Sequence, residues 1–315
     1  MSRDTVPIID LAAGHARRTL AEVDAAWRDW GFFQIIGHGV DRHLLAALRR
    51  QMRAFFAQPS DAKRAVSRSE RNPWGYYDRE LTKNTRDWKE LFDFAATSCG
   101  TSAPRWPSAL PGFKETLVDY YRACETVAFR LLRMMSVNLG MAPNALDRHF
   151  AHRHSSFARL NYYPVCANPE RPTGLTTPTK GHLGVNHHTD AGALTLLLQD
   201  AQPGLEVFRQ GRWSLVEPVA DALVVNVGDI AQVWSNDQYP APLHRVIANS
   251  SAERFSAAFF FCPSYETIYA PLVSTVDEHH PARYRQINWG HFYAMRTIGD
   301  YADHGEEIQI SHFRM

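Results

Sequence analysis

Three residues of the kinds that bind transition metals occur at a spacing that could bring them to one ion. His188 and Asp190 lie two residues apart, and His244 follows 54 residues after Asp190. Because side chains alternate between the two faces of a β-strand, His188 and Asp190 would share a face while His187 points away. His-X-Asp alone is a weak motif, and the delayed histidine strengthens it. We therefore predict His188, Asp190 and His244 as metal ligands.

This ligand set favours iron. Two imidazoles and one carboxylate cover one face of an octahedron and leave three positions open, as in non-haem Fe(II) oxygenases. A bidentate co-substrate needs two of those positions and dioxygen needs the third. A closed four-ligand zinc site would leave no such room. The sequence thus predicts an iron site that activates oxygen.

A second pair of residues is suited to a carboxylate. Arg254 lies ten residues after His244, and Ser256 lies two residues further on. The alternation of a strand again places both side chains on one face. A guanidinium fork beside a hydroxyl matches the geometry of a carboxylate group. The simpler interpretation, a surface ion pair for Arg254, is disfavoured by the phenylalanines that follow it.

The elements that would position these residues change character along the chain. Residues 1–150 predict a mainly helical part, with helices over 17–30, from Asp41 to before Pro59, and from about Phe113 to Leu139, and a loop over 97–112. Residues 151–280 predict seven or so short strands at close spacing, which favours a β-sandwich or jelly roll. Residues 281–315 predict a C-terminal helical segment, with a helix over 281–298. We expect the helices to cover an outer face of the β core.

Composition excludes several classes of function. The formal net charge is +1 with 34 Lys and Arg against 33 Asp and Glu, so neither nucleic acid nor an anionic membrane is indicated as a partner. Four cysteines without paired spacing favour a reduced protein, and the first residues contain no apolar signal core. We therefore expect a soluble cytoplasmic protein, with a monomer as the working oligomeric state.

Ordered motifs along nearly the whole chain resemble the iron(II)/2-oxoglutarate-dependent dioxygenases of the isopenicillin N synthase-like family. The motifs are Pro7–Leu11, Gly31–Phe33, Gly37–Val40, Asn161–Pro164, His188–Leu197, Gly204–Val207, Asn226–Asp229, His244–Val246 and Arg254–Ser256. The resemblance implies a double-stranded β-helix, a cupin-like jelly roll, in a single oxygenase domain over residues 1–315.

The resemblance also implies the roles of the site residues. Fe(II) would bind His188, Asp190 and His244. The distal carboxylate of 2-oxoglutarate would bind Arg254 and Ser256, and the positions of Tyr163 and Asn161 imply that they help to hold this co-substrate. With O2, the enzyme would oxidise a C–H bond of a small-molecule metabolite, hydroxylation being the first expectation, while 2-oxoglutarate becomes succinate and CO2.

Some alternatives stay open at this stage. An iron oxidase that needs no 2-oxoglutarate, a desaturase or cyclase, and a non-catalytic β-barrel binding protein are compatible with parts of the pattern. Halogenation is disfavoured because Asp190 occupies the position that a halide would need. The loop over 166–184 could be a lid over the pocket or a passive insertion. Trp74, Tyr76 and Phe92 could line the pocket or belong to the core.

Overall fold

The computed structural model describes residues 5–14, 16–69, 71–96, 103–151, 153–300, 305 and 307–315. The strands are β1 (Ile8–Asp10), β2 (Phe32–Ile36), β3 (Gly75–Tyr77), β4 (Leu81–Thr82), β5 (Thr85–Arg86), β6 (Glu90–Phe94), β7 (Phe157–Tyr163), β8 (Leu183–His188), β9 (Leu194–Gln199), β10 (Leu205–Arg209), β11 (Arg212–Leu215), β12 (Leu223–Val227), β13 (His244–Ile247), β14 (Arg254–Phe261), β15 (Ile268–Tyr269) and β16 (Ile287–Asn288). The α-helices are α1 (Ala16–Asp29), α2 (Arg42–Phe56), α3 (Ser60–Arg64), α4 (Phe113–Asn138), α5 (Asp229–Trp234) and α6 (Trp289–Thr297).

Two β-sheets form the body of the protein. The major sheet has eight strands in the order β1-β2-β12-β9-β14-β7-β6-β3, and the minor sheet has four in the order β11-β10-β13-β8. Only the β1–β2 pair is parallel among the paired strands of these two sheets. The protein is therefore mainly β with flanking helices, as the sequence predicts.

The central strands of the major sheet are buried on both sides. Every residue of β12 is buried, as are seven of the eight in β14. Such continuous apolar runs arise when both faces of a sheet are covered. Helix α4 covers one face, and its Tyr120 hydroxyl donates a hydrogen bond of 2.9 Å to the carbonyl of Ala257 in β14. The other face is turned towards the cavities described below.

The long helix α4 forms where the sequence predicts it. Its apolar residues recur at helical spacing and are almost fully buried, among them Leu117, Cys124 and Leu131. The helix ends at Gly140, which has φ 78°. Because this left-handed conformation is strained for residues with a Cβ, glycine is the residue that stops the helix here.

The N-terminal part differs from a purely helical cover. Strands β1, β2, β3 and β6 all come from the first 94 residues and join the major sheet. Strand β2 pairs with β12, which lies nearly 190 residues later in the chain. These short strands obtain their hydrogen bonds from one another and from partners that are distant in the chain.

One further prediction needs correction. The predicted helix over 281–298 begins only at Trp289, because β16 precedes it and Asn288 caps it by accepting a hydrogen bond of 2.9 Å from the amide of His291. Residues 97–102 of the predicted loop lie outside the described residues, whereas 103–112 are non-helical as expected. Among the helices that the structure describes, none is both long enough and apolar enough to cross a bilayer.

The loop over 166–184 is tied to the minor sheet. Glu170 accepts hydrogen bonds from the amides of Thr179, Lys180 and Gly181, which closes the loop on itself. Pro172 accepts a hydrogen bond of 2.7 Å from Arg245 of β13. None of its residues 166–182, all of which are described, lines the two cavities at the metal triad. These contacts favour the passive insertion over a lid.

Candidate metal centre and co-substrate cavity

His188, Asp190 and His244 converge on one point of the fold. His188 is the last residue of β8 and His244 the first of β13, and the two are direct cross-strand partners. The Nε2 atoms of His188 and His244 lie 3.6 Å and 3.5 Å from Oδ1 of Asp190. One ligand atom from each residue lies within 4.8 Å of the other two. A single metal ion could therefore bind all three.

Both imidazoles are oriented for metal binding by the backbone. His188 donates a hydrogen bond of 2.8 Å from Nδ1 to the carbonyl of Asn186, and His244 donates one of 3.1 Å to the carbonyl of Pro242. A proton held on Nδ1 leaves the Nε2 lone pair for the metal. Each Nε2 is the atom that faces Asp190, so the two histidines have the same ligand geometry.

The carboxylate of Asp190 is held by two neighbours that the sequence reasoning did not assign to the site. Its Oδ2 accepts hydrogen bonds of 2.6 Å from the Thr195 hydroxyl and 2.8 Å from the Asn226 amide. Oδ1 remains directed at the two histidines. Asn226 thus supports a predicted metal ligand. Partners of this kind fix the orientation of a ligand and tune the metal.

Asp190 does not lie on a strand, in contrast to the prediction. Strand β8 ends at His188, and Asp190 lies in the turn beyond it rather than on the strand. The amide of Asp229 stabilises this turn by donating a hydrogen bond of 2.8 Å to the carbonyl of Asp190. A Cβ at Gly228 would approach that carbonyl to 2.7 Å and the carbonyl of Gly192 to 2.3 Å. Only glycine allows this close backbone approach.

The electrostatics of the triad suit a cation. Burial lowers the pKa of His188 to about 4, with His244 adding to the effect, so this ring is neutral and available as a ligand. Burial would raise the pKa of Asp190, but the two histidines outweigh it and hold that pKa well below its usual value. Asp190 in turn raises the pKa of His244 against the effect of burial. The carboxylate is therefore ionised at neutral pH.

A cavity of about 80 Å³ extends from the triad to Arg254 and Ser256 between the two sheets. Arg254 is 2% exposed, and its Nη2 donates a hydrogen bond of 3.2 Å to Gln199. Its Nε and Nη1 have no hydrogen-bond partner among the described residues. Buried N–H groups are rarely left in this state, so the cavity fits an anionic ligand that accepts both.

The register of the major sheet explains why Tyr163 and Asn161 belong to this cavity. Tyr163 is the cross-strand partner of Arg254, and Asn161 is the partner of Ser256. The Arg254 guanidinium lies 5.0 Å from the centre of the Tyr163 ring, and Asn161 Nδ2 lies 3.5 Å from the Ser256 hydroxyl. The four residues predicted to hold a co-substrate therefore face one small space.

A larger cavity, of about 350 Å³, is also lined by His188 and Asp190. Its lining contains a cluster of charged residues that the sequence analysis missed. Arg68, Glu80, Lys89 and Asp93 are buried, and Arg159 is half-buried. One signal was available in the sequence. Asp93 interrupts the apolar run of β6, and a charge at an inward-facing strand position often marks a site. The partners that it meets come from other segments and carry no local signal.

Other candidate residues are distributed as follows. Trp74, Tyr76 and Phe92 all belong to the hydrophobic core, and among the three Trp74 also lines the larger cavity. Arg296, which the sequence alone favours as a solvated charge, is 8% exposed and lines the same cavity. It donates a hydrogen bond of 3.0 Å to the carbonyl of Thr189, between the two ligands in sequence.

Sequence comparisons agree with this geometry. A family model described as the 2OG-Fe(II) oxygenase superfamily matches residues 154–263, and one described as the N-terminal part of a non-haem dioxygenase in morphine synthesis matches residues 6–111. Jasmonate-induced oxygenase 2 of Arabidopsis thaliana is 33% identical over 97% of this chain and 83% of its own length. Gibberellin 20 oxidase 1 of Oryza sativa subsp. japonica is 34% identical over 96% of this chain and 87% of its own length.

Solved structures show the same fold. The structure of JOX2, described as a complex with 2OG, Fe and JA, is similar with a TM-score of 0.83 and 31% identity, covering 98% of this chain and 89% of that one. A 2OG-Fe(II) oxygenase family protein from Caulobacter crescentus shares the fold with a TM-score of 0.81 at 22% identity, over 94% of this chain and 99% of that one. The jelly-roll prediction is thereby confirmed.

The fold and the ligand triad define a non-haem iron oxygenase. The chain belongs to the superfamily of 2-oxoglutarate- and Fe(II)-dependent oxygenases. It is a dioxygenase that oxidises its substrate with Fe(II), 2-oxoglutarate and O2, as the sequence predicts. The two alternatives that lack this chemistry, a 2-oxoglutarate-independent oxidase and a non-catalytic binding protein, are not supported by these relatives.

Proposed function

We propose that this dioxygenase hydroxylates a C–H bond of a small-molecule metabolite bound in the larger cavity. The observation that carries the proposal is the triad. Both of its histidines donate Nδ1 to backbone carbonyls and turn Nε2 towards Asp190, and His188 and Asp190 line the larger cavity. The names of the relatives, a gibberellin oxidase among them, also favour a small organic substrate.

Fe(II) would be held by His188, Asp190 and His244. Asp190 offers Oδ1, while Thr195 and Asn226 engage Oδ2 and keep the carboxylate from rotating. When bound, the metal and 2-oxoglutarate together supply the activation of dioxygen, with 2-oxoglutarate converted to succinate and CO2. Because Asp190 fills its position, no place is left there for a halide, which favours hydroxylation over halogenation.

2-Oxoglutarate would lie with its distal carboxylate on Arg254 and Ser256. The free Nε and Nη1 donors of Arg254 fit a bidentate interaction, and the Ser256 hydroxyl can donate a further hydrogen bond. Tyr163 and Asn161, which lie on the neighbouring strand β7, would limit the movement of the co-substrate. The burial of Arg254 excludes water, which strengthens the ion pair.

We further propose that residues 1–315 act as a single oxygenase domain and that the enzyme works in the cytoplasm. Strands from residues 8–94 and from residues 157–261 share the major sheet, which supports one domain. The three described cysteines, Cys124, Cys166 and Cys262, are all buried free thiols, as is usual in a reducing compartment.

The test is a small-molecule screen scored by succinate release and O2 uptake, with and without 2-oxoglutarate. We expect a true substrate to raise both signals together and its product to gain one oxygen atom by mass spectrometry. Loss of two hydrogens from the substrate would instead indicate desaturation or ring closure. Oxygen uptake that does not depend on 2-oxoglutarate would refute the proposed function.

A further inference from the structure

The larger cavity has two chemically different walls. One wall is aromatic and is formed by Trp74, Phe157, Phe260, Tyr265, Trp289 and Tyr293. The other part of the lining is the charged cluster of Arg68, Glu80, Lys89, Asp93 and Arg159, in which the Arg159 guanidinium lies 6.0 Å from the ring centres of Phe157 and Phe260. This combination constrains the substrate more closely than membership of the superfamily does.

The charged wall is organised around Glu80. Its carboxylate accepts hydrogen bonds from Arg68 at 3.0 Å, Lys89 at 2.7 Å and Arg159 at 2.8 Å. Glu80 is 4% exposed, so these contacts are shielded from water. Although burial alone would raise the pKa of Glu80, the three cations hold it well below its usual value. Glu80, the shared partner of the three cations, is therefore ionised at every working pH.

Two more carboxylates complete the balance. Asp93 pairs with Arg68 at 2.8 Å and with Arg159 at 2.7 Å, and Asp87 pairs with Lys89 at 3.0 Å. When Asp87 is counted with the cluster, three cations are matched by three carboxylates.

At the rim of the cavity Arg296 pairs with Glu307 at 2.8 Å. Among the described residues that line the cavity, every Arg and Lys therefore already has a carboxylate partner. A substrate carboxylate would enter without a matching positive charge, and burying an unpaired charge is costly.

Lys89 nevertheless has hydrogen-bonding capacity to spare. An ammonium group has three N–H donors, and Glu80 and Asp87 accept two of them. The side chain is 4% exposed and lines both the larger cavity and the co-substrate cavity. A buried donor needs an acceptor, and inside a charge-balanced cluster an uncharged oxygen is sufficient.

The aromatic wall complements this donor. Phe157 and Phe260 stack with ring centres 4.7 Å apart and an interplanar angle of 26°, and Trp289 lies 5.1 Å from Tyr293. Such a surface binds flat ring systems by stacking and edge contacts. The cavity volume of about 350 Å³ is near the lower end for small-molecule sites, which favours a compact ligand.

We propose that the substrate is a compact, uncharged, ring-bearing molecule whose carbonyl or hydroxyl oxygen accepts the third N–H of Lys89, and that the cavity discriminates against carboxylates. This rests on the proposed function, because it takes the larger cavity to be the place where the oxidised molecule binds. Lys89 then acts as a specificity-determining residue beside the metal triad.

The first test compares three probes of nearly equal shape by calorimetry. The probes are 2-acetylnaphthalene, 2-naphthoate and 2-ethylnaphthalene, titrated into wild-type protein loaded with Fe(II) and 2-oxoglutarate without oxygen. We expect the ketone to bind at least about tenfold more tightly than the carboxylate, because the latter is buried unpaired. The affinity for the ketone should also exceed that for the ethyl compound by about threefold to tenfold, the usual gain from one hydrogen bond. Equal affinities, or a preference for the carboxylate, would overturn the proposal.

Two variants assign the effect to residues. In Lys89→Met the affinity for the ketone should fall to that for the ethyl compound. The affinity for the ethyl compound should not change. In Glu307→Gln the cation of Arg296 loses its partner, so the affinity for 2-naphthoate should rise. Weaker 2-oxoglutarate binding in Lys89→Met with an unchanged ketone preference would show that Lys89 serves the co-substrate, and would overturn the proposal. If Lys89→Met does not fold, the wild-type ranking and Glu307→Gln still decide the question.

A spectroscopic control separates the two proposals. Fe(II) and 2-oxoglutarate bound together give a visible metal-to-ligand charge-transfer band, which we expect in wild-type protein before any probe is added. Absence of that band would count against the proposed site itself. Presence of the band with no preference for the ketone would count against the substrate class alone.

Discussion

The substitution Arg254→Met should have opposite effects on the ligand-free and the ligand-bound protein. Without ligand, Arg254 is a buried guanidinium with two N–H groups that lack a partner among the described residues. Each buried unsatisfied donor costs about 1–3 kcal/mol, and methionine fills similar space without that cost. We therefore expect the free energy of unfolding of the ligand-free variant to equal or exceed that of the wild type.

In the presence of 2-oxoglutarate, the free energy of unfolding of Arg254→Met should instead fall below that of the wild type. Loss of two charge-assisted hydrogen bonds, each worth about 1.5–3 kcal/mol, should weaken binding at least about a hundredfold. At a co-substrate concentration of about 100 times the wild-type Kd, binding stabilises the wild type by about 2.7 kcal/mol. The same concentration should stabilise Arg254→Met by only about 0.4 kcal/mol.

Thermal unfolding with and without 2-oxoglutarate measures both effects. Arg49→Met is the matched control, since Arg49 forms a surface-side ion pair of 2.8 Å with Asp221 far from the cavity. The control should keep the full stabilisation by 2-oxoglutarate. Wild-type affinity for 2-oxoglutarate in Arg254→Met would refute the assignment, and a large loss of stability without ligand would refute the claim that its donors lack partners.

Two further predictions concern the residues behind the site. Thr195→Val removes the 2.6 Å hydrogen bond to Asp190 and should weaken Fe(II) binding about 10–100-fold in an anaerobic titration, and unchanged affinity would show that Thr195 does not support the ligand. Glu80→Gln should reduce the free energy of unfolding by about 3–5 kcal/mol at pH 7, because it leaves buried cations unpaired. The pKa of Glu80 is depressed, so its stabilisation is complete above the unfolded pKa of about 4.3 and is lost only as pH falls towards the folded pKa. Denaturant unfolding at several pH values checks this, and a difference from wild type that vanishes between pH 7 and 5 would contradict it.

Spacing along single strands accounted for much of the candidate site. Arg254 and Ser256 are two apart on β14 and do face one cavity, as alternation predicts. His244 lies opposite His188, a placement that no local pattern could give, because register between β8 and β13 depends on pairing across more than 50 residues. The alternation argument brought Asp190 to the right side although the strand ends before it.

The substrate side of the site could not be predicted in the same way. Glu80, Lys89 and Arg159 come from separate segments, and each alone resembles an ordinary surface charge in the sequence. Arg159 on β7 meets Asp93 on β6 because these two strands pair, which is a long-range contact. The helix predicted over 281–298 failed for a related reason, since β16 gains its hydrogen bonds from β15 rather than from neighbours in sequence.

The most direct test of the central claim is the Fe(II) stoichiometry of wild-type protein, His188→Ala and His187→Ala in anaerobic equilibrium dialysis. His187 is the matched control, because it is adjacent, buried, and hydrogen-bonded through Nδ1 to the side chain of Asn186 instead of facing Asp190. We predict one tightly bound Fe(II) per chain in the wild type and in His187→Ala, and none in His188→Ala. Full Fe(II) occupancy in His188→Ala, or its loss only in His187→Ala, would contradict the assignment of the metal centre.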